Sequence, residues 1–496
     1  MTLVAGIDSS TQSCKVVVVR LEDGVVVREG RTRHPAGTII DPQAWWDAML
    51  RAINRAGGLE DVSAISVAGQ QHTPIFVGAD GAAVCKSPLW NDIGSHPQLT
   101  ALNSELGFET WIRRTGLPIT LSDTVVKLRW LRDTDPGSAS RTVAVAVVHD
   151  WLTWRLQGGG PENPDLDLLA TDRSEASGTG YWSGETEDYC LDLFEHAFGR
   201  TAVLPRVLGP RERAGVTGAG LSGIPAGVPI AAGAGDNAAA ALALQLQAGD
   251  AVMSLGTSGV VYGRSRAPIH DYSGVVCSYA DATGDHLPLA ATLNAARDLD
   301  AATNLLGCSY DELASLALDA APGADGLTLL PYFEGERTPD LPNARASLLG
   351  ASLDNFTRPN LARATIEGML ASQVVLLDAM RRCDISVGRL FLIGGAAQNH
   401  AVHQILPQMI DVPLLLPDPG EYVGKGAALQ ATAALTGEFA NWAPAIRSLT
   451  PAEPEPIIMA QHQAAKRALG YGEATDLVGA DGRVGSNDAT EGGAMS

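Results

Sequence analysis

Twice in this chain an apolar strand runs into a turn of small, hydroxylated residues and returns as a second apolar strand. Residues 3–7 lead through the polar turn 8–14 (DSSTQSC) into the Val-rich 15–21. Residues 250–255 lead through Gly256-Thr257-Ser258-Gly259 into 260–263. Apolar runs bounded by such turns read as β-hairpins. The recurrence points to two related domains, each opening on a loop wide enough for a phosphate.

Length agrees, since 496 residues exceed what one core sustains. The boundary is expected near Gln247-Ala248-Gly249, giving units 1–247 and 248–471. The stretch 472–496, rich in Gly, Asp, Glu and small residues, is expected to be a disordered tail. Within the first unit, Asp23-Gly24 is a hairpin turn before a third strand at 25–33. Asp41-Pro42 opens a helix with Trp45, Trp46, Met49 and Ile53 at helical spacing. A strand at 64–68 runs into Gly69-Gln70-Gln71-His72-Thr73, and 155–165 reads as a loop.

The formal net charge of −21 argues against a nucleic-acid or anionic-membrane partner. It leaves phosphate ligands open, because backbone amides and helix ends bind them inside acidic proteins. The six cysteines are scattered with no C-x-x-C, as suits reduced thiols better than a disulfide framework or a zinc site. No run approaches the roughly 18 apolar residues of a membrane helix, and the first residues begin a strand rather than a signal peptide. A cytoplasmic protein is expected.

Candidate chemistry centres on PIAAGAGDNAAAALAL at 229–244. Gly233 and Gly235 permit a tight turn, and 237–244 is strongly helix-forming. Asp236 therefore stands at a helix N-terminus, which favours a carboxylate and also ligand anions. GAGDNA fits the dinucleotide fingerprint G-x-G-x-x-A, but Asp236 would then set negative charge against the pyrophosphate. The acid wanted about 20 residues on would be Asp250, which falls just before another turn. The competing reading is catalytic: a sugar hydroxyl is a poor nucleophile and needs a carboxylate that orients it and takes its proton. Asn237 beside it can bond a neighbouring hydroxyl, and Gln70, Gln71 and His72 supply the donors and acceptors a polyol demands.

The turn at 8–13 can wrap a terminal phosphate while Asp8 holds Mg²⁺ directly or through water. Its plain alternative is an Asp/Ser turn joining two strands, and the same alternative attends 256–259. No Walker A sequence occurs. A third glycine turn, IGGAAQN at 393–399, follows an apolar strand, and Gly394 and Gly395 would let backbone approach a purine or ribose. Read alone, it is an ordinary strand-to-helix connection. His400 and His403 have no carboxylate or thiol placed beside them and read as a packed or solvated helix face.

Taken together and in order, these segments resemble the FGGY family of carbohydrate kinases, and within it the xylulokinase branch. The similar stretches are GIDSSTQSCKVVVV (6–19), DPQAWWDAM (41–49), AGQQHTPI (68–75), PLWND (88–92), TDRSEASGT (171–179), GAGDNAAAA (233–241), SLGTSGV (254–260), LPYFEGERTP (330–339) and FLIGGAAQN (391–399). The resemblance implies an α/β protein of two actin-like (ribonuclease-H-like) domains with the active site in the cleft between them. It implies ATP-dependent phosphorylation of D-xylulose to the 5-phosphate, with ATP and Mg²⁺ as cofactors. Asp236 is then the catalytic base and Asp8 the acid of the first phosphate loop, acting through Mg²⁺ or phosphate. Gln71, His72 and Asn237 are implied at the sugar. Thr11, Gly256, Thr257 and Ser258 are implied at the phosphates, and Gly394, Gly395 and Asn399 at the adenosine. The implied partners are a small-molecule ketose and Mg-ATP, with no nucleic acid or membrane, and a homodimer is left open.

The chain departs from the family's pattern at Gln71, where methionine is common, and at Ile93-Gly94-Ser95, where an arginine often stands nearby. It also departs at 293–302 (LNAARDLDAA) and at Lys425 in GKGAA. Another ketose or polyol kinase is the alternative within the enzyme class. An actin-like ATPase switch would have no need of the polar groups at 70–72, and a silent sugar-binding regulator would have no need of both Asp8 and Asp236.

Overall fold

The first hairpin closes more tightly than its polar residues suggest. Strands β1 (Leu3–Ser9) and β2 (Ser13–Arg20) pair antiparallel from Leu3 opposite Arg20 to Ser9 opposite Cys14. Asp8 and Ser9 thus belong to the strand, and the turn is only Ser10-Thr11-Gln12. Polar side chains marked the turn, but their backbone groups complete the ladder. The chain is described here by a computed structural model covering residues 1–471, and the expected tail at 472–496 lies outside the described residues.

Strand β3 (Val26–Arg33) continues the antiparallel pairing. Helix α1 (Pro42–Arg55) follows, capped by Asp41, whose carboxylate accepts the Gln43 N–H at 3.0 Å, with Pro42 in its first turn. It buries Trp45, Trp46, Met49 and Ile53, the stripe read from the spacing. Strand β4 (Val62–Gly69) then pairs parallel to β1. Helices α2 (Thr124–Thr134), α3 (Val148–Leu156) and α4 (Arg173–Ser177) come next, and the expected loop follows the end of α3. Strands β5 (Arg213–Val216) and β6 (Pro229–Ala231) complete a sheet ordered β5-β6-β4-β1-β2-β3. Ala234 and Gly235 also pair with the end of β4, and helix α5 (Asp236–Ala243) starts directly after them.

The second half repeats this topology. Strands β7 (Asp250–Leu255) and β8 (Gly259–Gly263) form the second hairpin, followed by β9 (Cys277–Ala280) and β10 (His286–Ala291). Helices α6 (Ala296–Leu306) and α7 (Arg358–Arg382) lead to β11 (Arg389–Ile393), α8 (His400–Ile405), β12 (Leu414–Pro417), α9 (Tyr422–Thr436) and β13 (Ile446–Ser448). The sheet runs β9-β10-β8-β7-β11-β12-β13. Strand β7 pairs antiparallel with β8 and parallel with β11, as β1 does with β2 and β4. The repeat seen in two short turns therefore extends over five strands of each sheet.

The closing helices of the two halves, α5 and α9, pack on each other between the sheets. Ala428 and Ala431 of α9 meet Val4, Val17, Val19 and Ala64 of the first sheet. Ala238, Ala239 and Leu242 of α5 join Val252, Tyr262 and Leu289 of the second. Small residues make this possible: a Cβ on Gly426 would lie 1.8 Å from the Ala239 carbonyl oxygen. Among the described residues no helix is long and apolar enough to cross a membrane. All six cysteines are free.

Candidate active site

The carboxyl ends of the parallel strands in both sheets meet at a cavity of about 480 Å³, the place where open α/β sheets receive ligands. Asp8, Ser10 and Lys15 enter its wall from the first hairpin, and Asp236 and Asn237 from the start of α5. Ser254 and Tyr262 come from the second hairpin, Gly394 and Gly395 from the turn after β11, and Glu421 from the residue before α9.

The turn ahead of Asp236 is one that glycine alone fits. Gly233 has φ +80°, and a Cβ there would fall 2.0 Å from His149 Nε2 and 2.4 Å from the Val67 carbonyl oxygen. The Oδ1 atom of Asp236 accepts the N–H of Asn237 at 2.8 Å and its Nδ2–H at 3.0 Å. The other carboxyl oxygen has no donor among the described residues. Asn237 thus holds the carboxyl group while one oxygen remains for a ligand.

Burial pushes the Asp236 carboxyl up to about 7, and the charge of Asp8 adds to the rise. The residue is only part-buried by surface, its carboxyl opening on the cavity, so solvent there tempers the effect. Asp8, almost fully buried, is pushed up to about 6 by burial, against the opposing pull of the Ser10 hydroxyl and Lys15. Ser10 Oγ–H donates to Asp8. Lys15 Nζ stands 3.9 Å from Asp8 and 2.6 Å from Glu421. It is the only cationic side chain in this wall among the described residues.

Two acids, buried Asp8 and part-buried Asp236, line one small cavity. Their hard oxygens, with the Ser10 hydroxyl, suit Mg²⁺, which is commonly bound through one or two carboxylates plus substrate phosphates. No group of three or more His, Cys, Asp or Glu side chains arranged around a metal position occurs among the described residues.

The other expected site residues are set back from this wall. The Gln71 stem fills the space where Gly235 lacks a side chain, its Cγ 2.7 Å from where a Cβ would be, and its Nε2–H donates to the Ser174 carbonyl at 2.9 Å. His72 takes φ +73°. Its Nδ1–H donates to the Gly178 carbonyl at 2.6 Å and lies 3.4 Å from Asp123. A carbonyl only accepts, so Nδ1 carries the proton and Nε2 is an acceptor. Burial holds His72 below the usual histidine range, and hence neutral. The Tyr279 ring of β9 lies 5.8 Å from it, so His72 sits on the seam between the halves.

Thr11 accepts the Trp90 indole N–H at 2.9 Å. Gly256 accepts the Ala296 N–H at 2.9 Å, tying the second turn to α6, while Thr257 is exposed and Ser258 part-buried. Asn399 caps α8 by accepting the Ala401 N–H at 2.9 Å. His403 Nε2–H donates to the Ala397 carbonyl at 2.6 Å, the packed-face role expected for it.

Sequence reasoning passed over Lys15, Tyr262 and Glu421. Lys15 had a usable signal: it is a cation directly after a phosphate-sized turn and directly before four valines. Tyr262 is almost fully buried, with a hydroxyl that has no partner among the described residues, and it lines the cavity with Asp236. Glu421 lies 406 residues from Lys15, a separation no local pattern reports.

The N-terminal domain model of the FGGY family of carbohydrate kinases matches residues 3–243, and the C-terminal domain model matches residues 251–435. The xylulose kinase of Streptomyces coelicolor is 41% identical over 447 residues, covering 88% of this chain and 89% of that protein. The crystal structure of xylulose kinase from Bifidobacterium adolescentis superposes with a TM-score of 0.87 at 40% identity, covering 94% of this chain and 99% of that one. Plasmodium falciparum glycerol kinase with ADP shares the fold, with a TM-score of 0.83 at 18% identity over 95% of this chain and 98% of that one. The chain belongs to the FGGY family of carbohydrate kinases, ATP-dependent enzymes built from two actin-like domains.

Proposed function

We propose that the protein transfers the γ-phosphate of Mg-ATP to the terminal hydroxyl of D-xylulose, giving D-xylulose 5-phosphate. The observation that carries this reading is the sharing of one cavity by Asp236, Asp8 and Lys15. A carboxyl oxygen with no donor among the described residues shares this cavity with an acid and a cation suited to a polyphosphate. The choice of sugar rests on the named activity of the Streptomyces coelicolor relative, similar over nearly the whole of both chains.

In this reading residues 1–247 form the sugar-binding half and 248–471 the nucleotide-binding half. Asp236 takes the proton of the attacking hydroxyl, and its rise to about 7 matches a general base working near neutrality. Asn237 keeps its carboxylate in one orientation. Neutral His72 accepts a hydroxyl of the sugar at Nε2, and Gln71 supports the same loop. Thr11 and the turn Gly256-Thr257-Ser258 donate to the phosphates, with Lys15 neutralising their charge. Gly394, Gly395 and Asn399 border the adenosine. Mg²⁺ would be held by Asp8, directly or through water, and when bound supplies charge neutralisation for the transferring phosphoryl group. Closure of the two halves on the sugar excludes water and brings hydroxyl and phosphate into line.

A coupled assay of ADP release across a panel of ketoses and polyols tests the reading. Turnover is expected to depend on added sugar and to be highest in kcat/KM with D-xylulose. No sugar-dependent turnover with any of them would contradict it.

A further inference from the structure

The segment TDRSEASGT at 171–179 contributes no side chain to the cavity wall, yet each of its polar residues is buried. Asp172 caps α4: Oδ2 accepts the Ser174 N–H at 2.7 Å, and Oδ1 accepts the Glu175 N–H at 3.1 Å. Oδ2 also takes the Ser174 Oγ–H at 2.6 Å, a charge-assisted bond that fixes the hydroxyl's rotation. With its only hydrogen committed, Ser174 Oγ turns its lone pairs outward. It accepts the N–H of Gly235 at 2.9 Å, the residue immediately before Asp236. The carbonyl of Ser174 accepts Gln71 Nε2–H at 2.9 Å.

Three segments, separated in sequence by 61 and 103 residues, therefore meet on one serine. The cap of α4 does not need the Ser174 hydroxyl, because Asp172 satisfies the helix through two backbone N–H groups. Among the described residues, the hydroxyl's own bonds run only to the capping carboxylate and to the turn that carries Asp236.

We propose that Ser174 is a positioning residue for phosphoryl transfer, locking the turn before Asp236 so that its carboxylate meets the substrate hydroxyl in line, and that Asp172 fixes the lock's polarity. This rests on Asp236 being the base. Removing the hydroxyl leaves the Gly235 N–H unsatisfied in a buried site and lets the turn relax. Because misplacement of about 1 Å costs on the order of 100-fold in rate, geometry is where the loss should register.

The test compares Ser174→Ala with two references. Thr142→Val removes a different buried hydroxyl, one that donates to the Ser138 carbonyl at 2.9 Å and touches none of these groups. Asp236→Asn tests the base itself. Ser174→Ala is expected to lower kcat by about 10- to 100-fold while the Kd for Mg-ATP stays within about twofold of wild type, whereas Thr142→Val lowers thermal stability but keeps kcat. A wild-type kcat in Ser174→Ala beside an inactive Asp236→Asn would overturn the positioning role and leave the base standing. Near-normal turnover in Asp236→Asn would overturn both. Should Ser174→Ala fail to fold, Ser174→Cys keeps the volume with a weak hydrogen-bonding group, and the same outcomes decide.

Discussion

Lys15 Nζ on β2 stands 2.6 Å from the carboxylate of Glu421 at the start of α9, an ion pair that joins the two halves of the chain at the mouth of the cavity. Both side chains are partly exposed, so the pair itself contributes little stability. Its consequence is placement: an ammonium is held beside Asp8 until a stronger anion arrives. A triphosphate entering the cavity would compete with Glu421 for it. Lys15→Met is expected to weaken Mg-ATP binding by about tenfold, and Glu421→Gln to strengthen it or leave it unchanged. Isothermal titration calorimetry with each ligand checks this, with D-xylulose affinity expected to move little in either variant.

The pH profile follows from the carboxyl pair. Asp236 is pushed up to about 7 by burial and by Asp8, and a base works only when ionised. The value of kcat/KM should therefore rise with pH through about 7 and level off above it. In the nucleotide complex the charge of Asp8 is offset, so the acid limb of kcat should lie below that of kcat/KM. Initial-rate measurements across pH decide this, and the limb should vanish from the residual activity of Asp236→Asn.

The same group sets a stability trade-off. Its folded pKa lies above the ordinary 3.8, so between about 4 and about 7 the native state binds more protons than the unfolded chain. Stability then falls as pH rises through that window, and the cost is fully present above it. Asp236→Asn removes the ionisable group. At pH 8 its Tm should exceed that of wild type by about 2 °C, with the gap closing toward pH 4. Differential scanning calorimetry at the two pH values measures it.

His72 is held by its Nδ1–H, through the Gly178 carbonyl and near Asp123, which leaves Nε2 as the acceptor that the proposed function assigns to a sugar hydroxyl. His72→Ala should raise the KM for sugar by about tenfold while the KM for ATP stays unchanged. Steady-state kinetics with each substrate varied in turn distinguishes this from a general loss of folded protein.

Much of this is legible in the amino-acid sequence. The turns at 8–14 and 256–259 announce a duplicated hairpin, and the glycines around Asp236 announce a carboxylate at a helix start. Local chemistry dominates at such points. What stayed hidden depends on distant partners. The alanines of α5 read as helix, but nothing in them says that Gly426 will press on the Ala239 carbonyl. Gln71 looked like a sugar ligand because it is polar in a strand-end loop. No local pattern reports that its stem fills the space left by Gly235 or that its amide bonds to Ser174. The polar side chain of Asp8 points to a turn, whereas strand pairing is decided by backbone groups and takes Asp8 into β1.

The central claim is that Asp236 takes the proton from the hydroxyl that attacks Mg-ATP, and that this hydroxyl is the terminal one of D-xylulose. Single-turnover transfer of labelled γ-phosphate to D-xylulose, by wild type and Asp236→Asn, tests it most directly, with the product's phosphorylated carbon assigned by NMR. Wild type is expected to form the 5-phosphate, and Asp236→Asn to transfer at least about 1000-fold more slowly while binding D-xylulose within a few-fold of wild type. Transfer by Asp236→Asn at a near-normal rate, or phosphate on another carbon, would contradict the account.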